Sequence, residues 1–117
     1  MLDLNVYDGN IQMMIDWTDV RGFDWDEGNS RKNVDKHSVS QAETEQVFFS
    51  QPLLVIADPK HSVIEQRCHA LGVTDDGRRL HITFTLRASD TLIRIISSRY
   101  MHRKERAIHG QAAKTQT

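Results

Sequence analysis

The sequence predicts a single α+β domain, an antiparallel β-sheet of about four strands with N-terminal helices packed on one face and a short C-terminal helix. Three observations carry this expectation. The 117 residues, 38% of them hydrophobic, suffice for one core and are too few for two. Ser40 and Glu43 have the spacing of a capping box, which announces a helix in the first half. The second half holds apolar or alternating runs at 67–74, 79–87 and 91–98 divided by turn residues, the signature of an antiparallel meander.

Residues 1–22 read as an acidic extension whose odd-position apolar residues Ile11, Met13, Ile15 and Trp17 suit either an added strand or a loosely attached arm. Met14 stands as an alternative start. The folded domain is expected over 23–109. Phe23-Asp24-Trp25 reads as a short strand and Asp26 as the N-cap of a first helix ending near His37, with Glu27 and Arg31 spaced for an i,i+4 pair. The second helix should run from the capping box to about Phe49 and contribute Val47, Phe48 and Phe49 to the core. Pro52 stops it, residues 53–57 form a buried strand, and Asp58-Pro59 closes that strand. A basic helix is expected over 103–109. Residues 110–117 lack large apolar side chains and read as a disordered tail.

The turn Asp75-Asp76-Gly77 allows a two-residue loop, or a three-residue loop with glycine in the left-handed position. The difference matters, because a one-residue slip exchanges the faces of the partner strand. The three-residue loop puts Cys68, Ala70 and Gly72 on one face with Leu80, Ile82, Phe84 and Leu86, an apolar surface. It gathers Arg67, His69, His81, Thr83, Thr85 and Arg87 on the other. Polarity favours this register. Joining the last strands through Ser89-Asp90 pairs Phe84 with Ile95 and Thr85 with Arg94, which adds Arg94 and Ser98 to the polar face.

Charge is unevenly spread along the chain. Residues 1–27 carry seven acids against one base, net −6, whereas residues 78–106 carry eight bases against two acids, net +6. A basic stretch of this kind suits either a phosphate-holding surface or a solvated edge. One cysteine, Cys68, excludes an internal disulfide, nothing argues for a thiolate metal site, and a reducing cytoplasm is the expected setting. No signal-like start or long apolar run is present. The six histidines show no HExxH or HxH spacing, so no metal and no cofactor are expected. Tyr100, after the last strand, is a candidate for stacking on a nucleobase.

Five segments together resemble the BrnT toxins: Phe23-Asp24-Trp25-Asp26-Glu27; Lys36-His37-x-Val39-Ser40; Asp58-Pro59-x-His61-Ser62; Glu65-x-Arg67; and Arg94-Ile95-Ile96-Ser97-x-Arg99 followed by Glu105-Arg106. The resemblance implies a RelE-like fold and a cytoplasmic type II toxin, an endoribonuclease that inhibits translation until a BrnA-like ribbon-helix-helix antitoxin binds it. The expected assembly is a heteromeric complex. Two departures stand out. Ser38 occupies a position where BrnT toxins carry a glycine that relieves a left-handed helix cap, and His102 replaces a threonine three residues before Glu105, which removes half of a capping box.

RNA cleavage without a metal needs a base near the ribose 2'-hydroxyl, cations against the developing phosphorane, and an acid for the departing oxygen. On that chemistry Arg67 and Arg94 are the candidate phosphate and transition-state stabilisers, and Glu65 and His61 the candidates for proton transfer. Arg87, Arg99, His81, Thr85 and Tyr100 are candidates for substrate binding. The dull counterparts are arginines capping a sheet face and a hydrogen-bonded His-Ser turn. Two alternatives stay open, a degenerate homologue that binds antitoxin or RNA without cleaving, and an acidic N-terminal arm folded over the basic face as a phosphate mimic.

Overall fold

The computed structural model describes residues 6–7, 10–11, 15–61 and 65–116, and the side chains at 6, 7, 10, 11, 29, 30, 35, 61, 115 and 116 lie outside that description. In chain order the elements are β1 (Val6–Tyr7), β2 (Asn10–Ile11), β3 (Gly22–Asp24), α1 (Glu27–His37), α2 (Gln41–Val47), β4 (Leu54–Ala57), β5 (Arg67–Val73), β6 (Arg79–Arg87), β7 (Leu92–Tyr100) and α3 (Arg103–Gln116). Short 3-10 turns occupy Trp17–Asp19 and Pro59–His61. β1 and β2 form a small hairpin, and the main sheet has five strands in the order β3-β7-β6-β5-β4. About four were expected. The additional edge strand is β3, which pairs with β7 in parallel while the other pairs are antiparallel.

The second helix begins as its sequence requires. Ser40 Oγ accepts from the Glu43 amide while the Glu43 carboxylate accepts from the Ser40 amide, so two orphan donors of α2 are satisfied reciprocally. α1 ends at His37, and Ser38 follows at φ +56°, the left-handed conformation that its side chain disfavours. α2 stops at Val47 with Phe48 as its C-cap. The turn beyond leaves Phe49 81% exposed, so the expected core position of Phe49 is corrected.

The β5–β6 loop has three residues. Thr74 N donates to the Arg78 carbonyl at 2.9 Å, and Gly77 supplies φ +83°. The register pairs Cys68 with Phe84, Ala70 with Ile82 and Gly72 with Leu80, small against large on the face that α1 and α2 cover. α2 can settle there because Gly72 has no side chain; a Cβ would sit 2.6 Å from Ser50 Oγ and 2.8 Å from Val47 Cγ1. Phe48 meets Phe84 edge-on at 5.2 Å, with Phe23 and Trp17 packed around it. Ile15, Trp17 and Val20 pack against this core, so the chain joins the fold ahead of residue 23. The rest of the expected arm, and with it the phosphate-mimic reading of residues 1–14, falls largely outside the described residues.

The β6–β7 register shifts between Thr83 and Phe84. Phe84 faces Ile95 and Thr85 faces Arg94, as anticipated, but beyond the bulge Ile82 faces Ser98 and His81 faces Arg99. One extra residue reverses the faces of the rest of β7. Ser98, expected among the polar residues, is therefore buried under the helices. Its Oγ accepts from Thr44 Oγ1 at 2.8 Å, and its amide donates to Asn33 Oδ1 at 3.3 Å.

The opposite face is also partly covered. Leu54, Ile56 and Leu71 form a second apolar cluster with Met101, Ile108 and Ala112, which seats α3 over β4 and β5. Ile108 and Ala112 lie four residues apart on one helix face, which carries the helix through Gly110 to Gln116. Residues 110–116, expected as a disordered tail, are helical for this reason.

Candidate active site on the polar face of the sheet

Arg67, Thr85 and Arg94 are cross-strand neighbours on β5, β6 and β7, and Asp24 extends the same row onto β3. Residues opposite one another in a ladder share a face, so the two guanidinium groups rise from one surface with Thr85 between their strands. Arg94 Nη1 lies 3.3 Å from Asp24 Oδ2 and its Nη2 3.8 Å from Asp26 Oδ2. All three of these side chains keep solvent access, at 25%, 35% and 48%. Arg87, two residues beyond Thr85 on the same face, is exposed and lies 3.6 Å from Glu65. Thr85 is buried, and its hydroxyl donates to the Gln66 carbonyl at 2.7 Å. It forms the floor of the row.

Farther along the same face a second cluster meets α3. His69 Nε2 lies 2.8 Å from Asp58 Oδ2 and its Nδ1 3.1 Å from Thr83 Oγ1. The His69 ring stacks on His81 at 4.7 Å between centroids. His81 is buried, and desolvation pushes its pKa down to about 4, partly opposed by Glu105 at 3.8 Å. Glu105 accepts two hydrogen bonds from Arg99, at 2.8 and 2.9 Å, and one from the His102 amide at 2.8 Å. Burial would raise its pKa, but these donors hold it down at about 2. The His102 contact is the surviving half of the capping box that the sequence lacks. Between α3 and β4–β6 these groups line a cleft of about 330 Å³.

The expected site residues thus divide. Arg67, Arg87 and Arg94 stand on one face, with Glu65 beside Arg87. Arg99 shares that face and makes two hydrogen bonds to Glu105. His81 lines the cleft beside it, buried and kept neutral. Tyr100 pairs with Leu80 on the helix-covered face, under the Arg78 guanidinium at 4.5 Å, and lies apart from the row. The His61 side chain falls outside the described residues. Asp24, Asp58, His69 and Glu105 were not singled out as site residues, because the parallel β3 edge and the seating of α3 left no periodic signal to find. Cys68 is buried, and desolvation raises its pKa to about 11, which suits a packing role. Among the described residues no group of three His, Cys, Asp or Glu side chains is placed to hold a metal ion. No described helix is long and apolar enough to cross a membrane.

A family described as "Ribonuclease toxin, BrnT, of type II toxin-antitoxin system" matches residues 25–105. The chain belongs to the BrnT family. As a BrnT-family protein it is a ribonuclease toxin of a type II system, and such a toxin is paired with an antitoxin. The crystal structure of the Brucella abortus ribonuclease toxin BrnT is similar to it, with a TM-score of 0.51 at 19% identity, covering 70% of this chain and 97% of that one. That likeness establishes the fold. No curated protein matches. The matched BrnT span includes Arg67, Arg94 and Glu105 but leaves out Asp24, the N-terminal hairpin and most of α3.

Proposed function

We propose that this BrnT-family protein is a metal-independent endoribonuclease that cleaves RNA by attack of the ribose 2'-hydroxyl, inhibiting translation in the cytoplasm until a BrnA-like ribbon-helix-helix antitoxin binds it. The supporting observation is the row Arg67–Thr85–Arg94, in register on one partly solvated sheet face. A scissile phosphate set against this row meets two guanidinium groups that stay charged at any working pH and can fork onto its non-bridging oxygens. They stabilise the phosphorane where a metal otherwise would. Arg87 holds a flanking phosphate. Glu65 and His61, in the connection that leads into Arg67, carry the proton transfers, with Glu65 released from Arg87 as the backbone enters.

Inducible expression in a bacterial host tests this reading. Growth arrest with RNA degradation, relieved by a co-expressed antitoxin and abolished by Arg94→Ala, is expected, and cleavage by the purified protein should persist in EDTA. Absence of arrest and of cleavage overturns the reading. The ion pairs of Arg94 with Asp24 and Asp26, and of Arg87 with Glu65, favour a second reading, a non-enzymatic module that binds antitoxin or RNA. The same assay separates the two, since a module binds RNA without shortening it.

A further inference from the structure

Both ring nitrogens of His69 are tied to neighbours within the fold. One ring nitrogen is engaged by Asp58 and the other by Thr83. One ring face lies on His81. The side chain nevertheless keeps 25% of its surface exposed. With one face covered and both nitrogens occupied, what His69 offers to solvent is mainly its second ring face. It does so at the cleft between α3 and the sheet, two residues along β5 from Arg67, a separation of about 7 Å on an extended strand.

We infer that the outer face of His69 is a stacking platform for a nucleobase of single-stranded RNA, seated in the cleft beside the arginine row. This deepens the ribonuclease reading and rests on it. Every base has a π-face, and imidazole rings serve as stacking partners for unpaired RNA bases. The platform is held firmly. Asp58 and Thr83 fix the ring plane at its two nitrogens, and His81 backs it from beneath, so little side-chain freedom is lost when a base arrives. Lys104 stands at the same cleft, exposed, where it can meet the sugar-phosphate chain. A base stacked here leaves the adjoining phosphate beside Arg67.

The test compares His69→Phe with His69→Leu. Both lose the same bonds to Asp58 and Thr83, and only Phe keeps an aromatic face, so the difference between them reads the ring and not the fold. Melting temperatures of both variants establish that each is folded. With a cleavable RNA, Leu should raise KM about 5- to 100-fold over Phe, the range expected for one base–aromatic stack, with kcat moving far less. Binding of a single-stranded RNA made non-cleavable by 2'-O-methylation should show the same ordering. An abasic nucleotide at the seated position should bring the two variants together. Equal KM for Phe and Leu while wild-type protein cleaves RNA overturns the platform and leaves the ribonuclease reading standing. A wild type that cleaves nothing, yet binds the methylated RNA more tightly with Phe than with Leu, overturns the ribonuclease reading and supports the platform. Equal binding there overturns both.

Discussion

Asp24 Oδ2 lies 3.3 Å from Arg94 Nη1, and the parallel pairing of β3 with β7 sets the two residues directly opposite one another at the edge of the sheet. The pair is partly solvated, so water screens the attraction between its two charges. Arg94 thus stands between the carboxylates of Asp24 and Asp26 on one side and the strand pairing that leads through Thr85 to Arg67 on the other.

Removing either partner should act in opposite directions. Arg94→Ala is expected to lower kcat for RNA cleavage about 10²- to 10³-fold, the usual loss of a transition-state charge stabiliser. Asp24→Asn keeps the shape and removes one competing charge. It should lower KM by roughly 2- to 5-fold, in keeping with a partly exposed pair. Steady-state cleavage kinetics check both, and an Asp24→Asn protein with raised KM would count against phosphate binding at Arg94.

The left-handed Ser38 offers a stability prediction. A non-glycine residue at φ +56° carries a steric cost that glycine does not, and glycine gives back part of that gain through the greater freedom of the unfolded chain. Ser38→Gly should stabilise the protein by about 0.5–1 kcal/mol, measured as a rise in denaturant midpoint at constant slope.

Thr44 and Ser98 form a buried hydroxyl pair that ties α2 to the reversed half of β7. Thr44→Val keeps the volume and strands Ser98 Oγ without that donor. Unfolding should become easier by about 1–3 kcal/mol, and Thr44→Val with Ser98→Ala should recover part of the loss. A double-mutant cycle in urea measures the coupling.

Acid should weaken the fold in two stages. The His81 pKa is near 4 in the folded protein against an ordinary 6.5, so the unfolded chain takes up a proton as pH falls through 6.5 and the folded chain does not until near 4. Stability therefore drops across that window, by about 3 kcal/mol. Glu105 is held near 2 against an ordinary 4.5, so its contribution is whole above 4.5 and is lost as pH falls from there towards 2. Urea midpoints at a series of pH values should trace both stages. His81→Leu should flatten the curve between pH 6.5 and 4 while leaving the lower stage in place.

Read alone, the sequence determined the α2 capping box, the three-residue turn at Gly77, the pairing of Thr85 with Arg94 and the unrelieved cap at Ser38, each of which depends on residues close together in the chain or on strict alternation. Tertiary structure alone decided the rest. Whether β3 joins the sheet depends on an edge some seventy residues away, and a bulge in β7 exchanges the faces of Ser98 and Arg99 without leaving a turn residue to mark it. With α3 seated on Leu54, Ile56 and Leu71, His81 is buried and Arg99 is bound to Glu105, surroundings that no local pattern foretells. The physical reason is one of range: capping and turn chemistry act within a few residues, whereas the exposure and charge of a side chain are set by whichever distant segment packs against it.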